Sequence, residues 1–210
     1  EDYGGDLKKR EQAKQHLKDE ILKAEKEMES ENSLYECNNA FEWRFEFPEA
    51  LNENGDFMGF DLVIGNPPYG VSIKGTVRDA IAHTLGKVPD FEIYYFFINL
   101  AQHLLKSKGI KTFILPNTIL FNVFAKNYRI NLFNHWQMLE IMDCTDFNIF
   151  QDSVTVRNVI TTFLKDKSND KVYYRLTSNA HSFDDLISRD PIATDKETLL
   201  ANNQNWALVF

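Results

Sequence analysis

The chain has 210 residues, of which 43% are hydrophobic and 13% are aromatic, and its formal net charge is −8. This composition excludes intrinsic disorder over most of the chain, and the acidic balance argues against a protein that coats DNA by charge alone. Cys37 and Cys144 form no CxxC pair, so we expect no disulfide framework and no metal site, and two reduced thiols indicate a cytoplasmic protein. No apolar run reaches the roughly 20 residues that span a bilayer, so no membrane partner is expected.

The first part of the chain is predicted to form a helix and two strands. Residues 6–31 are rich in Lys and Glu and carry one apolar face, which predicts a solvated helix. Residues 41–47 alternate between apolar and charged side chains, which predicts a strand that ends at Pro48. The apolar run 60–65 is typical of a buried strand in a parallel sheet. Residues 71–89 contain Gly75, Gly86 and Pro89 and no long periodic pattern, which predicts a long loop with a short helix at most.

Helices and strands are then predicted to alternate. The pattern gives a helix over 89–106, a strand over 110–115, a helix over 125–136, and strands over 138–142, 154–163 and 172–176. Asp90 and Glu92 are assigned to the N-cap and the first turn of the first of these helices. The residues after 178 are polar and weakly patterned. This alternation predicts an α/β fold with a doubly wound sheet.

The segment Asn66-Pro67-Pro68-Tyr69 follows the predicted strand 60–65 at its carboxyl end, where open α/β sheets bind ligands. The side-chain carbonyl of Asn66 and the main-chain carbonyl of Pro67 are two acceptors on a backbone that the prolines stiffen. Two such acceptors suit the two hydrogens of a planar amino group, and they make its nitrogen a better nucleophile. Tyr69 offers a flat face on which a base could stack.

The run from Phe60 to Gly70 resembles the motif IV signature of gamma-type adenine-N6 DNA methyltransferases, in particular the Eco57I-like and TaqI-like type II restriction–modification enzymes. Further segments resemble that family in the same order along the chain, namely residues 41–49, 90–97, 109–117, 146–150 and 154–160. The resemblance therefore covers roughly residues 40 to 165.

The resemblance implies transfer of a methyl group from S-adenosylmethionine to N6 of an adenine flipped out of double-stranded DNA. Asn66, Pro67 and Pro68 would belong to the catalytic segment, and Tyr69 would also stack on the base. The remaining implied roles are a second stacking aromatic, Phe150 with Phe147 as the alternative, and cofactor-binding aromatics, Phe97 and Tyr94. The implied fold is the C-terminal half of a Rossmann-like class I methyltransferase, mainly parallel, with an antiparallel last hairpin.

The glycine-rich turn that binds the cofactor in this family does not occur before residue 60. We therefore expect a charged helical segment over 1–35, a partial methyltransferase domain over 36–178, and a polar tail or linker to a target-recognition domain over 179–210. The N-terminal part of the catalytic domain and the target-recognition domain would lie elsewhere in the parent protein, and the isolated chain would be inactive. A homodimer through an exposed sheet edge is a further expectation.

Two other functions remain open from the residues alone. Methyltransferases that act on a glutamine amide of a protein, or on adenine in RNA, share the tetrapeptide, because both substrates present two hydrogens on a planar nitrogen. The chain could also be a non-catalytic structural fragment that assembles with another domain.

Overall fold

The computed structural model describes residues 14–26, 43–147, 149–150, 156–166, 171–177, 180–202 and 204–209. The chain divides into two compact units, Glu1–Gly55 and Asp56–Phe210. The proposed boundaries at residues 35 and 178 stay a prediction.

In the first unit, a helix (α1) runs through residues 14–26 with every side chain exposed, which confirms the predicted solvated helix over those residues. The predicted strand over residues 41–47 is wrong for the described residues, because Trp43–Glu46 form a short helix, α2. Phe45 is 84% exposed, so the alternation of apolar and charged residues does not mark a buried face here. Pro48–Ala50 follow as a 3-10 turn.

The second unit is built on a six-stranded sheet in the order β1-β2-β4-β3-β5-β6. The strands are β1 Phe60–Gly65, β2 Leu105–Pro116, β3 Gln137–Asp143, β4 Asn158–Leu164, β5 Lys171–Arg175 and β6 Ile192–Asp195. The strands predicted from 60–65, 110–115, 138–142, 154–163 and 172–176 are all present, although β2 begins five residues earlier than expected and β4 begins only at Asn158. The predicted burial of β1 is wrong, because β1 is an edge strand with no fully buried residue.

The sheet is mixed, and four of its six strands share one direction. β1 pairs with β2 in parallel, and β3 pairs with β5 in parallel. β4 lies between β2 and β3 and is antiparallel to both, and β6 is antiparallel to β5. The parallel strands and the antiparallel β3–β4 pair agree with the predicted α/β class. β1 is an edge of the sheet, and its Leu62 and Ile64 are 50% and 71% exposed.

The longer helices that connect the strands of the second unit are α3 Gly75–Leu85, α4 Tyr94–Leu104 and α5 Lys126–His135. α3 corrects the prediction of a loop over 71–89. It buries no residue fully, and only Ile81, Ala82 and Leu85 pack partly on the core, which is too short an apolar pattern to identify a helix in the sequence. α4 is the main core helix and begins at Tyr94, five residues later than predicted, after an irregular segment.

The residues described after position 178 differ from the predicted polar tail. They form α6 Phe183–Ser188, the edge strand β6, α7 Lys196–Ala201 and a 3-10 turn at Trp206–Leu208. Leu186, Leu199 and Trp206 are fully buried. A few large apolar anchors therefore attach a segment that is otherwise polar.

Two basic side chains among the described residues of this unit are completely buried. Lys111 lies in β2, where its Nζ is 3.6 Å from the centroid of the Trp136 ring and 3.5 Å from the carbonyl oxygen of Ile98. Burial, with a smaller effect of nearby Lys165, lowers the pKa of Lys111 to about 7.

The second buried cation, Arg129, binds the turn before α5 to the C-terminal segment. Its guanidinium donates to the carbonyl oxygens of Ile119 at 3.1 Å, Asn122 at 2.9 Å and Gln204 at 2.8 Å. The guanidinium also lies 5.6 Å from the centroid of the Trp206 ring.

Candidate functional site

The Asn66-Pro67-Pro68-Tyr69 segment leaves the sheet directly after β1, as the sequence predicts. Because β1 and β2 are parallel, their carboxyl ends meet at the same edge of the sheet. Asn66 and Pro68 are exposed, Pro67 is buried, and Tyr69 is half-buried.

The last residue of β1 can only be glycine without a local rearrangement. Gly65 pairs with Phe113 in β2, and a Cβ atom at this position would lie 2.5 Å and 2.8 Å from two atoms of the Phe113 ring. Phe113 is 4% exposed, so its ring has little room to move. The close contact between Gly65 and the Phe113 ring fixes the position of the backbone immediately before Asn66.

Tyr69 is held on one side by the sheet. Its ring packs on the hydrophobic core, and its hydroxyl accepts a hydrogen bond from Asn158 Nδ2 at 3.3 Å. Asn158, the first residue of β4, is buried and also donates to the carbonyl oxygen of Leu115 at 3.4 Å. The antiparallel insertion of β4 therefore brings a residue 89 positions away to the tyrosine.

A cleft of about 530 Å³ opens beside Tyr69. Its walls come from the segment after β1, the segment before α4 with the first residue of α4, the end of β2 with the segment after it, and Val156. The lining residues are Tyr69, Gly70, Asp90, Glu92, Tyr94, Pro116, Thr118, Phe121, Asn122, Val123 and Val156. The cleft is thus aromatic on several sides and carries two carboxylates.

The structure brings some of the predicted site residues to this cleft and places others elsewhere. Tyr69 and Tyr94 line it, whereas Phe97 lies on α4 outside the lining set and is 37% exposed. Phe147 packs edge-on against Phe183, with ring centroids 6.3 Å apart. Phe150 is partly exposed and is also outside the lining set, and residues 151–155 lie outside the described residues.

The expected capping roles of Asp90 and Glu92 are wrong. The N-cap of α4 is Ile93, and the first turn of α4 contains no acidic residue. Asp90 Oδ1 accepts a hydrogen bond from the N–H of Glu92 at 2.8 Å, and Glu92 Oε2 accepts one from the N–H of Gly70, also at 2.8 Å. Both carboxylates therefore organise the segments around the cleft.

Asn122 is a site residue that the sequence did not suggest. Its side-chain amide donates to the carboxylate of Asp90 and to the hydroxyl of Tyr95 at 3.4 Å, and its Oδ1 accepts from the N–H of Phe124 at 2.9 Å. Burial is the main reason that the pKa of Tyr95 is raised to about 12, and burial also raises the pKa of neighbouring Tyr94. Both phenols stay protonated near neutral pH and act there as neutral hydrogen-bonding groups.

Among the described residues, no group of His, Cys, Asp and Glu side chains is arranged to hold a metal ion. Within the same part of the chain, no helix is long and apolar enough to cross a membrane. Cys144 is a buried free thiol, and burial raises its pKa to about 12, so it has little thiolate character. Cys37 lies outside the described residues.

A sequence model of the Eco57I restriction-modification methylase family matches residues 5–150. The chain belongs to this family. A protein of Methanocaldococcus jannaschii, assigned as a type II restriction enzyme and methyltransferase, is 30% identical to this Eco57I-family chain over 139 residues. That match covers 66% of the chain and 11% of the relative, so the chain spans a small part of the longer protein.

Solved structures show the fold of the Eco57I-family chain. The methyltransferase subunit of a type I restriction-modification system from Streptococcus thermophilus superposes with a TM-score of 0.58 at 20% identity, over 71% of this chain and 37% of that one. The type IIG restriction endonuclease BpuSI gives a TM-score of 0.53 at 16% identity, over 71% of this chain and 21% of that one. The predicted Rossmann-like methyltransferase fold is therefore confirmed.

Proposed function

We propose that the protein containing this chain transfers a methyl group to N6 of an adenine that is flipped out of double-stranded DNA, within a restriction–modification system. The observation that carries the proposal is the Asn66-Pro67-Pro68-Tyr69 segment at the carboxyl end of β1, beside an aromatic cleft of about 530 Å³. Membership of the Eco57I family supports the methyltransferase class.

Asn66 and Pro67 would bind the amino group that is methylated. The Asn66 side-chain oxygen and the Pro67 carbonyl oxygen each accept one N6 hydrogen, which localises the nitrogen lone pair for attack on the methyl carbon. The amine then loses a proton after the new carbon–nitrogen bond has formed. Because the nucleophile needs alignment more than deprotonation, the rigidity of this segment is its main contribution.

Tyr69 would stack on the flipped base. Flipping costs a few kcal/mol of unstacking, and stacking on an aromatic ring returns about 1–3 kcal/mol per base. Phe150 is our choice for the second ring, because Phe147 already packs against Phe183. The hydroxyl contact from Asn158 holds the Tyr69 ring in place before the base arrives.

The methyl donor implied by the fold is S-adenosylmethionine, which supplies an electrophilic methyl group when bound. The lining of the cleft fits part of this molecule, because the ring of Tyr94 can border an adenine and the nearby carboxylates of Asp90 and Glu92 can face hydroxyl groups or a sulfonium. Phe97 lies about one turn along α4 from Tyr94 but outside the cleft lining, so a contact between Phe97 and the donor would lie outside this cleft.

The exposed edge at β1 would be covered in the working protein. In the described part of the chain, the outer backbone edge of β1 has no partner strand in the sheet, and Leu62 and Ile64 leave apolar surface exposed on one face of this strand. We propose that further strands of the same protein occupy this edge, with a homodimer as the other arrangement.

The test is methylation of DNA by the protein that contains this chain, followed by nucleoside mass spectrometry. We expect N6-methyladenine in DNA that lacked adenine methylation, and a loss of at least about a hundredfold in rate for Asn66→Ala, because one of two preorganised acceptors is removed. Asn54→Ala is the matched control, since Asn54 lies in an exposed turn of the first unit and should leave the rate unchanged.

The same assay separates the alternative substrates. Methylation of a glutamine-containing peptide or of RNA, with none in DNA, would replace the proposed substrate. An active Asn66→Ala protein would contradict the role of the segment itself.

A further inference from the structure

The segment that follows Tyr69 is fastened to the segment that precedes α4. The N–H of Ile73 donates to the carbonyl oxygen of Phe91 at 2.9 Å, and the N–H of Ile93 donates to the carbonyl oxygen of Val71 at 3.0 Å. Between these bonds, Ser72 and Glu92 form an isolated antiparallel bridge. The backbone after the Asn-Pro-Pro-Tyr segment thus gains a partner about twenty residues along the chain.

The side chain of Glu92 extends this attachment to the residue next to Tyr69. Its Oε2 accepts the N–H of Gly70 at 2.8 Å, and Gly70 has a φ of +74°, a left-handed conformation that favours glycine. The N–H of Glu92 is itself bound to Asp90 Oδ1, and the Asp90 carboxylate accepts from Asn122. The carboxylate therefore projects from a braced backbone toward one amide of the site segment.

We propose that Glu92 is a positioning residue that fixes the exit of the Asn-Pro-Pro-Tyr segment through Gly70. This inference rests on the proposed function. Tyr69 is held at its hydroxyl by Asn158 and at the following amide by Glu92, so the ring is restrained from both ends. Asn66 has an exposed side chain, and the stiff prolines transmit the restraint on Tyr69 back to it.

The hydrogen bond between Glu92 and the Gly70 amide affects the geometry of the site more than the stability of the fold. Gly70 is exposed, so water can replace the carboxylate when Glu92 is removed, and the folded chain loses little. Catalysis is more demanding, because a misplacement of about 1 Å can cost on the order of a hundredfold in rate. A positioning role therefore predicts a loss of turnover without a loss of stability.

Three properties would be measured in the full protein for Glu92→Ala, Glu92→Gln and the control Glu53→Ala, whose side chain is exposed in the first unit. The properties are kcat and KM for methylation, the thermal midpoint, and the hydrogen-exchange rate of the Gly70 amide. Glu92→Ala should lower kcat by about tenfold to a hundredfold, with KM and the midpoint nearly unchanged, and should speed Gly70 exchange. Glu92→Gln keeps an oxygen acceptor and should recover most of kcat and of the protection, and Glu53→Ala should match the wild type.

Three other results would each contradict the positioning role or the proposed function. If Glu92→Gln is as impaired as Glu92→Ala while Gly70 stays protected, the carboxylate charge acts on the substrate and the positioning role is wrong. If Gly70 exchange is the same in all proteins, the contact does not hold the segment and the inference fails. If the wild type methylates nothing but Gly70 exchange depends on Glu92, the proposed function fails and the attachment stands.

Discussion

Replacing Lys111 by methionine should stabilise the chain at neutral pH. Lys111 is completely buried in β2, beside the rings of Trp136 and Phe163, and its Nζ has one long contact with a carbonyl oxygen. Methionine has a similar length and no charge, so Lys111→Met keeps the packing and removes the cost of burying an ammonium group.

The magnitude follows from the lowered pKa. Burial moves the pKa of Lys111 from 10.5 to about 7, so the folded state binds this proton less tightly than the unfolded chain does. The contribution to stability is therefore greatest above pH 10.5, falls as the pH drops toward 7, and is constant below that value. At about 1.36 kcal/mol per pKa unit, the wild type should gain about 3 kcal/mol in unfolding free energy between pH 7 and pH 9.5 from this residue.

Denaturant unfolding at several pH values from 6.5 to 9.5 measures this effect. The Lys111→Met chain should be more stable at pH 7 by about 2–4 kcal/mol, after allowance for the lost cation–π contact with Trp136, and its pH profile should be flatter. Lys87→Met, at an exposed position, is the control and should keep the wild-type profile. Parallel profiles for wild type and Lys111→Met, or a less stable variant at pH 7, would refute the reasoning.

Two further substitutions test the packing around the site. Gly65→Ala should lower the unfolding free energy by about 1–3 kcal/mol in a denaturant titration, because the new Cβ atom would clash with the buried Phe113 ring. Adding Phe113→Leu should recover part of this loss. If the losses of the two single variants simply add in the double variant, the two residues are not in contact. Arg129→Met should lower the unfolding free energy by about 2–5 kcal/mol, because three carbonyl oxygens lose their hydrogen-bond donor. Arg129→Lys should not recover this stability, since one ammonium group cannot reach all three oxygens. Thermal midpoints would check the second pair, and a stable Arg129→Met chain would show that water replaces the guanidinium.

The end of β1 where the candidate site lies could be predicted because strong local signals mark it. A short apolar strand followed by two prolines has to leave the sheet, and in the structure β1 ends at Gly65, two residues before Pro67. The alternation of helices and strands likewise predicted the α/β class, because most of the buried residues of α4 and of the strands β2 and β3 are apolar.

Other parts could not be predicted because their determinants are distant or lack periodicity. Asp90 and Glu92 have the residue types of a helix start, but their partners Asn122 and Gly70 lie 32 and 22 positions away. α3 packs only Ile81, Ala82 and Leu85 partly on the core, so its apolar face is too short to be recognised in the sequence. The burial of Lys111 could not be predicted either, because a charged residue in a strand is normally assigned to the solvent-exposed face.

The placement of β4 has a consequence for how the chain folds during synthesis. β2 and β3 form no hydrogen-bonded pair with each other, and each pairs with β4, which comes after both in the chain. When the ribosome has released residues up to Asp143, the two strands still face a gap that is one strand wide, with unpaired backbone groups on both sides. Until Asn158–Leu164 emerge, these edges are open to other chains, so slow translation between β3 and β4 should favour aggregation of this protein over folding.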